Sequence, residues 1–439
     1  MFRSRNLIAP LCFLFFFAVH SQQIDEVQLD TFLTKLGNDK FMGNLLVKKE
    51  DRTIYAQSLG FTDVEQKVST RQDDQYRIGS ISKTFTAVLV LKAVEEGKIE
   101  LSQSLASFFP SVANANKIRL GQLLNHHSGI PNFTNAPDFL QWHSTAKSEQ
   151  EMVDVVSRSG SDFEPGTMAA YSNSNYVLLS YILQSVYQQS YAELLEEKII
   201  APLGLRHTQF GDTTVSATSK TLSYVYEVGW NKSPETNLTI AMGAGGILST
   251  TDDLARFIDG LFKGTLLSKR SLDLMLEQKD GYGMGIFKTQ LFEKDAYTHD
   301  GKIDGFNSVY YHFPDEKVTY VLLSNAENYD LGIVHRAVLA YALGDDYLLP
   351  ALKTYSVTPQ GLLPYLGVYR SQESPLVITI SSKGNKLLAQ PEGQKIYAMD
   401  AVDKDLFKHD KSGVVLSFDP TLGAMLMKQG EQTLRFMKQ

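Results

Sequence analysis

The chain has 439 residues, 43% of them hydrophobic and 21% charged, with a formal net charge of −7. That composition supports a large folded core and excludes a disordered or collagenous chain. The mildly acidic balance gives no general attraction to nucleic acid or to an anionic membrane surface, and the single cysteine, Cys12, excludes an internal disulfide and a cysteine-rich metal site.

Residues 1–21 carry Arg3 and Arg5, then a phenylalanine-rich apolar run from Leu7 to Val19, then Val19-His20-Ser21 as a cleavage site with a small last residue. The pattern predicts a secretory signal peptide, since the run is shorter than the roughly 20 residues of a membrane span. Leu11 precedes Cys12 where a lipoprotein signal would have a small residue, so lipidation is not expected. Cleavage leaves no cysteine, moves the net charge to −9 and removes any integral membrane span. The expected location is the bacterial envelope, periplasmic or secreted, where export without disulfides is ordinary. The remaining chain is long enough for two domains.

A helix is predicted over 24–36, then a β-hairpin from 43–48 and 53–61. In Arg77-Ile78-Gly79-Ser80-Ile81-Ser82-Lys83-Thr84-Phe85 a loop runs into a helix over 84–96, with apolar residues at Phe85, Val88, Leu89, Leu91 and Val94 and a stop at Gly97. Residues i and i+3 share a helix face, so Lys83 can set its amine beside the Ser80 hydroxyl. A serine hydroxyl is a poor nucleophile until a base takes its proton, and a desolvated lysine can be that base. A second Ser-x-x-Lys, Ser144 to Lys147, lies in a polar stretch and carries no such context.

Residues 118–131 read as a helix that stops at Gly129, with His126 and His127 tying down a loop rather than binding a metal, because helix neighbours point about 100° apart. Residues 150–205 are mostly helical, and Tyr171-Ser172-Asn173-Ser174-Asn175-Tyr176 opens a helix over 177–187. The Tyr171 phenol can pass protons once a cation lowers its pKa, or can be a packed aromatic in a capping turn. Gly243 to Ile247 lacks the lysine of a phosphate-binding loop and reads as close backbone packing before a helix capped by Ser249 to Asp252. His299-Asp300-Gly301-Lys302 leads into a second hairpin, 308–313 with 317–324, and a helix over 332–343 closes the domain. From about residue 355 onward short alternating strands predict a small antiparallel sheet or barrel.

The order Ser80-x-x-Lys83, Tyr171-Ser172-Asn173, His299-Asp300-Gly301 resembles the serine β-lactamase and DD-peptidase superfamily, in the branch of class C β-lactamases, D-alanyl-D-alanine carboxypeptidases, D-aminopeptidases and related esterases. The stretches 123–131, 163–166, 202–205 and 245–250 share the likeness, and the final 80 or so residues resemble an appended lipocalin-like β-module. The implied fold class is α+β: an antiparallel sheet flanked by helices with an inserted helical subdomain over 22–350, then a small all-β domain over 355–439. The resemblance implies that Ser80 is acylated while Lys83 and Tyr171 share its proton, and that Asn173 holds the substrate amide. His299, Asp300 and Gly301 would line the cleft, the amides of Ser80 and Lys302 would form the oxyanion hole, and Tyr171 would be the base for deacylation. No metal or other cofactor is called for.

Where the lactamase strand reads Lys-Thr-Gly, this one reads His299-Asp300-Gly301, which removes a cation and adds an acid. If Asp300 points into the cleft it repels a substrate carboxylate; it can instead face away and pair with a lysine. An exported hydrolase of an ester, amide or D-amino-acid peptide is the leading expectation. The alternatives are a D-Ala-D-Ala carboxypeptidase or weak β-lactamase, and an inactive homologue that binds peptidoglycan fragments or a protein partner through the β-module.

Overall fold

A computed structural model describes residues 23–37, 40–211, 221–352 and 354–439; the signal peptide expected over 1–21 lies outside them. Among these residues no helix is long and apolar enough to cross a membrane.

The catalytic-type domain is built on a six-stranded antiparallel sheet in the order Phe287–Leu291, Lys294–Ile303, Phe306–Phe313, Val318–Glu327, Phe41–Lys49, Arg52–Leu59. Alternation along each strand sends side chains to two cores. Val309 and Leu322 face the helices Glu26–Leu36 and Leu331–Leu343, whereas Tyr310 and Val321 face a larger helical layer. The strand Val318–Glu327 is central and buried on both sides, and its middle, Tyr320 to Leu323, is an unbroken apolar run rather than an alternating one.

The larger layer is organised on the helix Ser82–Glu95, buried from Ser82 to Leu91 without interruption. A helix apolar all round belongs in the middle of a core, and Asn173–Tyr187 and Thr251–Phe262 pack in the same cluster. The helix expected over 118–131 is the main departure. Only Leu120–Leu124 is helical. His126 then takes a left-handed φ of +61° and Gly129 one of +75°, which ends the helix and turns residues 126–131 toward 170–174.

Residues 367–438 form a closed eight-stranded antiparallel barrel filled by Tyr369, Leu387, Met399, Phe407, Phe418 and Phe436. Lys40, at the start of the sheet, docks the barrel: its ammonium binds Asp400 and lies 2.7 Å from Asp410. Lys411 reaches back to Glu327 at 2.7 Å. Lys40 is mostly buried between its two carboxylates, so Lys40→Met leaves two partly buried acids short of a cation. Calorimetry should show destabilisation of about 1–3 kcal/mol and a barrel transition at lower temperature; an unchanged melt would mean that the contact adds no stability.

Candidate active site

Ser80 sits in the middle of a single 3-10 turn, Gly79–Ile81, that runs into the helix Ser82–Glu95. This turn lies against the strand Lys294–Ile303, and two glycines permit the approach. Gly79 has φ +49°, and a Cβ there would stand 2.9 Å from the Lys302 amide nitrogen. A Cβ on Gly301 would stand 2.1 Å from the Ile78 carbonyl oxygen and 3.0 Å from the Ser80 nitrogen. The main chain at Ser80 and Lys302 is thereby brought to one place.

Lys83 is fully buried one turn later. Its nitrogen lies 3.0 Å from Ser80 Oγ, 2.7 Å from Asn173 Oδ1 and 2.8 Å from the Ala244 carbonyl oxygen. Burial holds the amine well below the usual ammonium range, against a smaller opposing pull from Asp300. A neutral amine has two N–H donors and one lone pair. The two oxygens of Asn173 and Ala244 can only accept, so they take the N–H groups and the lone pair is left for the Ser80 hydroxyl.

Tyr171 closes the other side, with its hydroxyl donating to Ser80 Oγ at 2.7 Å. Burial pushes this phenol up, not down. The expectation that a cation lowers it does not hold here: burial is the largest influence on the phenol, and Asp300 adds to the rise. Tyr171 is held in place by His126: the rings pack at 4.6 Å, the Ser172 amide donates to His126 Nδ1, and the Ala170 amide donates to the His126 carbonyl. His127 bonds Asp280 through Nε2 at 2.9 Å and the Asn125 carbonyl through Nδ1. Both histidines therefore tie loops down, as the sequence reading has them. Asn173 begins its helix, and its Nδ2 donates to Thr134 Oγ1 while its amide donates to Asn132.

His299 and Asp300, read together as cleft residues, project to opposite sides. His299 pairs with Tyr310 in the helical core, and Asp300 with Val309 in the other core. His299 is 2% exposed; its Nδ1 donates to the Asp300 carbonyl at 2.6 Å, and burial pushes it down to about 3, so it is neutral. The Asp300 carboxylate lies in solvent, and no ion pair to a lysine forms among the described residues. Gly301 and Lys302 border the site through their main chain; the Lys302 side chain is 64% exposed and reaches toward Glu327 at 3.8 Å.

The sequence reading missed the Ala244 carbonyl and the template role of His126. A main-chain acceptor leaves no side-chain signature, and it is a kink at Met242 (φ 38°) within Leu238–Gly245 that precedes the Ala244 carbonyl. Beside Ser80 opens a cavity of about 190 Å³, lined among others by Phe133, Phe139, Asn173, Ile240, Lys302 and Asp304.

The family model described as Beta-lactamase matches residues 41–343. Penicillin-binding protein 4* of Bacillus subtilis is 25% identical over 398 residues, covering 83% of this chain and 87% of the relative. Among solved structures, the octameric penicillin-binding protein homologue from Pyrococcus abyssi is similar with a TM-score of 0.67 at 21% identity, over 94% of this chain and all of that one, a likeness of fold. D-amino acid amidase from Ochrobactrum anthropi is similar with a TM-score of 0.64 at 25% identity, over 72% of this chain and 99% of that one. The family match spans well over half of the chain and contains the whole Ser80, Lys83, Tyr171 and Asn173 arrangement. The chain belongs to the Beta-lactamase family of serine hydrolases.

Proposed function

We propose that the protein is an exported serine hydrolase that cleaves an ester, an amide or a D-amino-acid peptide through an acyl-enzyme on Ser80. The observation that carries this reading is the fully buried Lys83 nitrogen within hydrogen-bond distance of Ser80 Oγ, Asn173 Oδ1 and the Ala244 carbonyl oxygen, with its pKa held well below the usual range by burial; the neutral form gives its two N–H groups to the two carbonyl-type oxygens and keeps its lone pair for the Ser80 hydroxyl. As Ser80 Oγ adds to the substrate carbonyl, its proton passes to Lys83. The oxyanion is stabilised by the Ser80 and Lys302 amides, an arrangement worth about 3–4 kcal/mol of barrier per donor in other enzymes. On collapse the carbonyl–leaving-group bond breaks, and the leaving group takes the Tyr171 proton. Tyr171 is resupplied by the Lys83 ammonium, which restores the neutral amine. Water then attacks the acyl group and gives its proton to the same pair, returning Ser80. Asn173 positions Lys83 and can hold the substrate amide.

The cavity beside Ser80 includes Asn173 and Lys302 but neither Tyr171 nor His299 among its lining residues. Since Tyr171 serves the leaving group, the cavity takes the acyl side, and its Phe133, Phe139 and Ile240 walls suit an apolar side chain. The D-amino acid amidase likeness supports a D-configured amide as one substrate class. Recognition of a leaving-group carboxylate has little to work with: His299 is uncharged, and the exposed Asp300 still reaches Lys83 and Tyr171 with its field. This favours amides and esters over D-Ala-D-Ala acids and penicillins.

A fluorophosphonate should add one phosphonyl group to the protein by intact mass, the adduct should vanish in Ser80→Ala, and kcat should fall by at least about 10³-fold; equal turnover by Ser80→Ala would refute the mechanism. Lys83 must be uncharged to accept the proton, so kcat/KM should be lost as pH falls through its depressed pKa and hold a plateau above it. A lysine of ordinary pKa would instead show activity still climbing toward pH 10. A peptide ending in D-Ala-D-Ala amide should be cleaved faster than its free acid, and the reverse order would restore the carboxypeptidase reading.

A further inference from the structure

Beyond the first cavity the strand Lys294–Ile303 leads to another. The neighbouring strand Phe287–Leu291 pairs only as far as Thr298, so from His299 onward that edge is turned to Ser80 and is free for an extended chain. An acyl chain lying along it passes Lys302 and then Asp304, and both residues also line a second cavity, of about 240 Å³. This one is walled on one side by Tyr224, Tyr226 and Glu327 of the catalytic domain and on the other by Lys395, Tyr397 and Lys411 of the barrel. Its two walls are held together by the Lys411–Glu327 ion pair and by Lys40 on Asp400 and Asp410.

The charges are unequally disposed. Glu327 lies mostly buried between Lys411 and Lys302, and Asp304 is buried against Arg77. The exposed charged side chains around this cavity are three lysines, Lys302, Lys395 and Lys411, against the single Glu227. Lys302 and Lys411 share Glu327, which leaves Lys395 as the exposed cation of this rim with no carboxylate in an ion pair among the described residues.

The geometry points to a second acyl-side subsite, built jointly by the catalytic domain and the barrel, that receives an acidic group of a peptide substrate. Lys302, whose amide faces Ser80, and Asp304 at the second cavity are two positions apart in the chain, so at ~3.3 Å per residue of extended chain the acid stands about two residues upstream of the residue whose carbonyl is attacked. This deepens the hydrolase reading and rests on it for the direction of the substrate.

The test uses N-acetyl-Glu-Gly-D-Phe amide and its Gln counterpart with the mature full-length chain. Binding is measured by calorimetry to Ser80→Ala, and turnover with the wild type, both at low ionic strength. The Glu peptide should bind about two- to fivefold more tightly, the size of a contact with exposed lysines, and should show the same preference in KM. Lys395→Glu should abolish the preference while leaving turnover of N-acetyl-D-Phe amide unchanged. Equal binding of the two peptides, binding of neither, or a preference untouched by Lys395→Glu would overturn the subsite. A Glu preference in binding with no turnover of any peptide by the wild type would instead refute the hydrolase reading and leave the subsite standing.

Discussion

The structure depends on keeping one amine out of water. A lysine nitrogen in bulk solvent is an ammonium and no base; the core around the helix Ser82–Glu95 removes the solvent from Lys83 and holds its amine well below the usual ammonium range. Desolvation alone would leave a costly unpaired polar group. Asn173 Oδ1 and the Ala244 carbonyl meet that cost, and they come from chain segments about 90 and 160 residues away. The sheet, the helical subdomain and the Leu238–Gly245 kink have to be in register for the nitrogen to be both buried and satisfied.

The same logic extends outward. Lys83 bonds Asn173, Asn173 bonds Thr134, and the Tyr171 segment is wrapped on His126, whose own backbone is held in the left-handed region. Strain of this kind persists where surrounding contacts over-determine it. On the opposite side, glycines at 79 and 301 let two main-chain segments approach closer than any side chain would allow. The groups around Ser80 thus rest on rigid elements, with loops pinned by the buried His126 and His127.

The barrel adds a wall rather than a second chemistry. Its interior is filled by aromatic and aliphatic side chains, so whatever it contributes to recognition comes from its outer rim. Ion pairs at Lys40 and Lys411 set that rim beside the far end of the cleft. Under the proposed mechanism, the neutral His299 and the lysines beyond the cavity beside Ser80 favour recognition of the substrate upstream of the scissile bond.

Much of this was legible in the chain itself. Helical spacing put Lys83 beside Ser80, alternation marked the sheet and the barrel, and the order of three short motifs pointed to the family. These signals are local, because i,i+3 geometry and a period of two act over a few residues. What the chain could not declare was which way His299 and Asp300 point, that the helix after Leu120 ends within five residues, or that a main-chain oxygen at Ala244 completes the lysine site. Strand alternation says that two neighbours point to opposite faces but not which of them is buried. The tertiary packing decided that, and with it which of the site's ionisable groups carry charge, because charge state follows burial and burial is a property of the assembled fold.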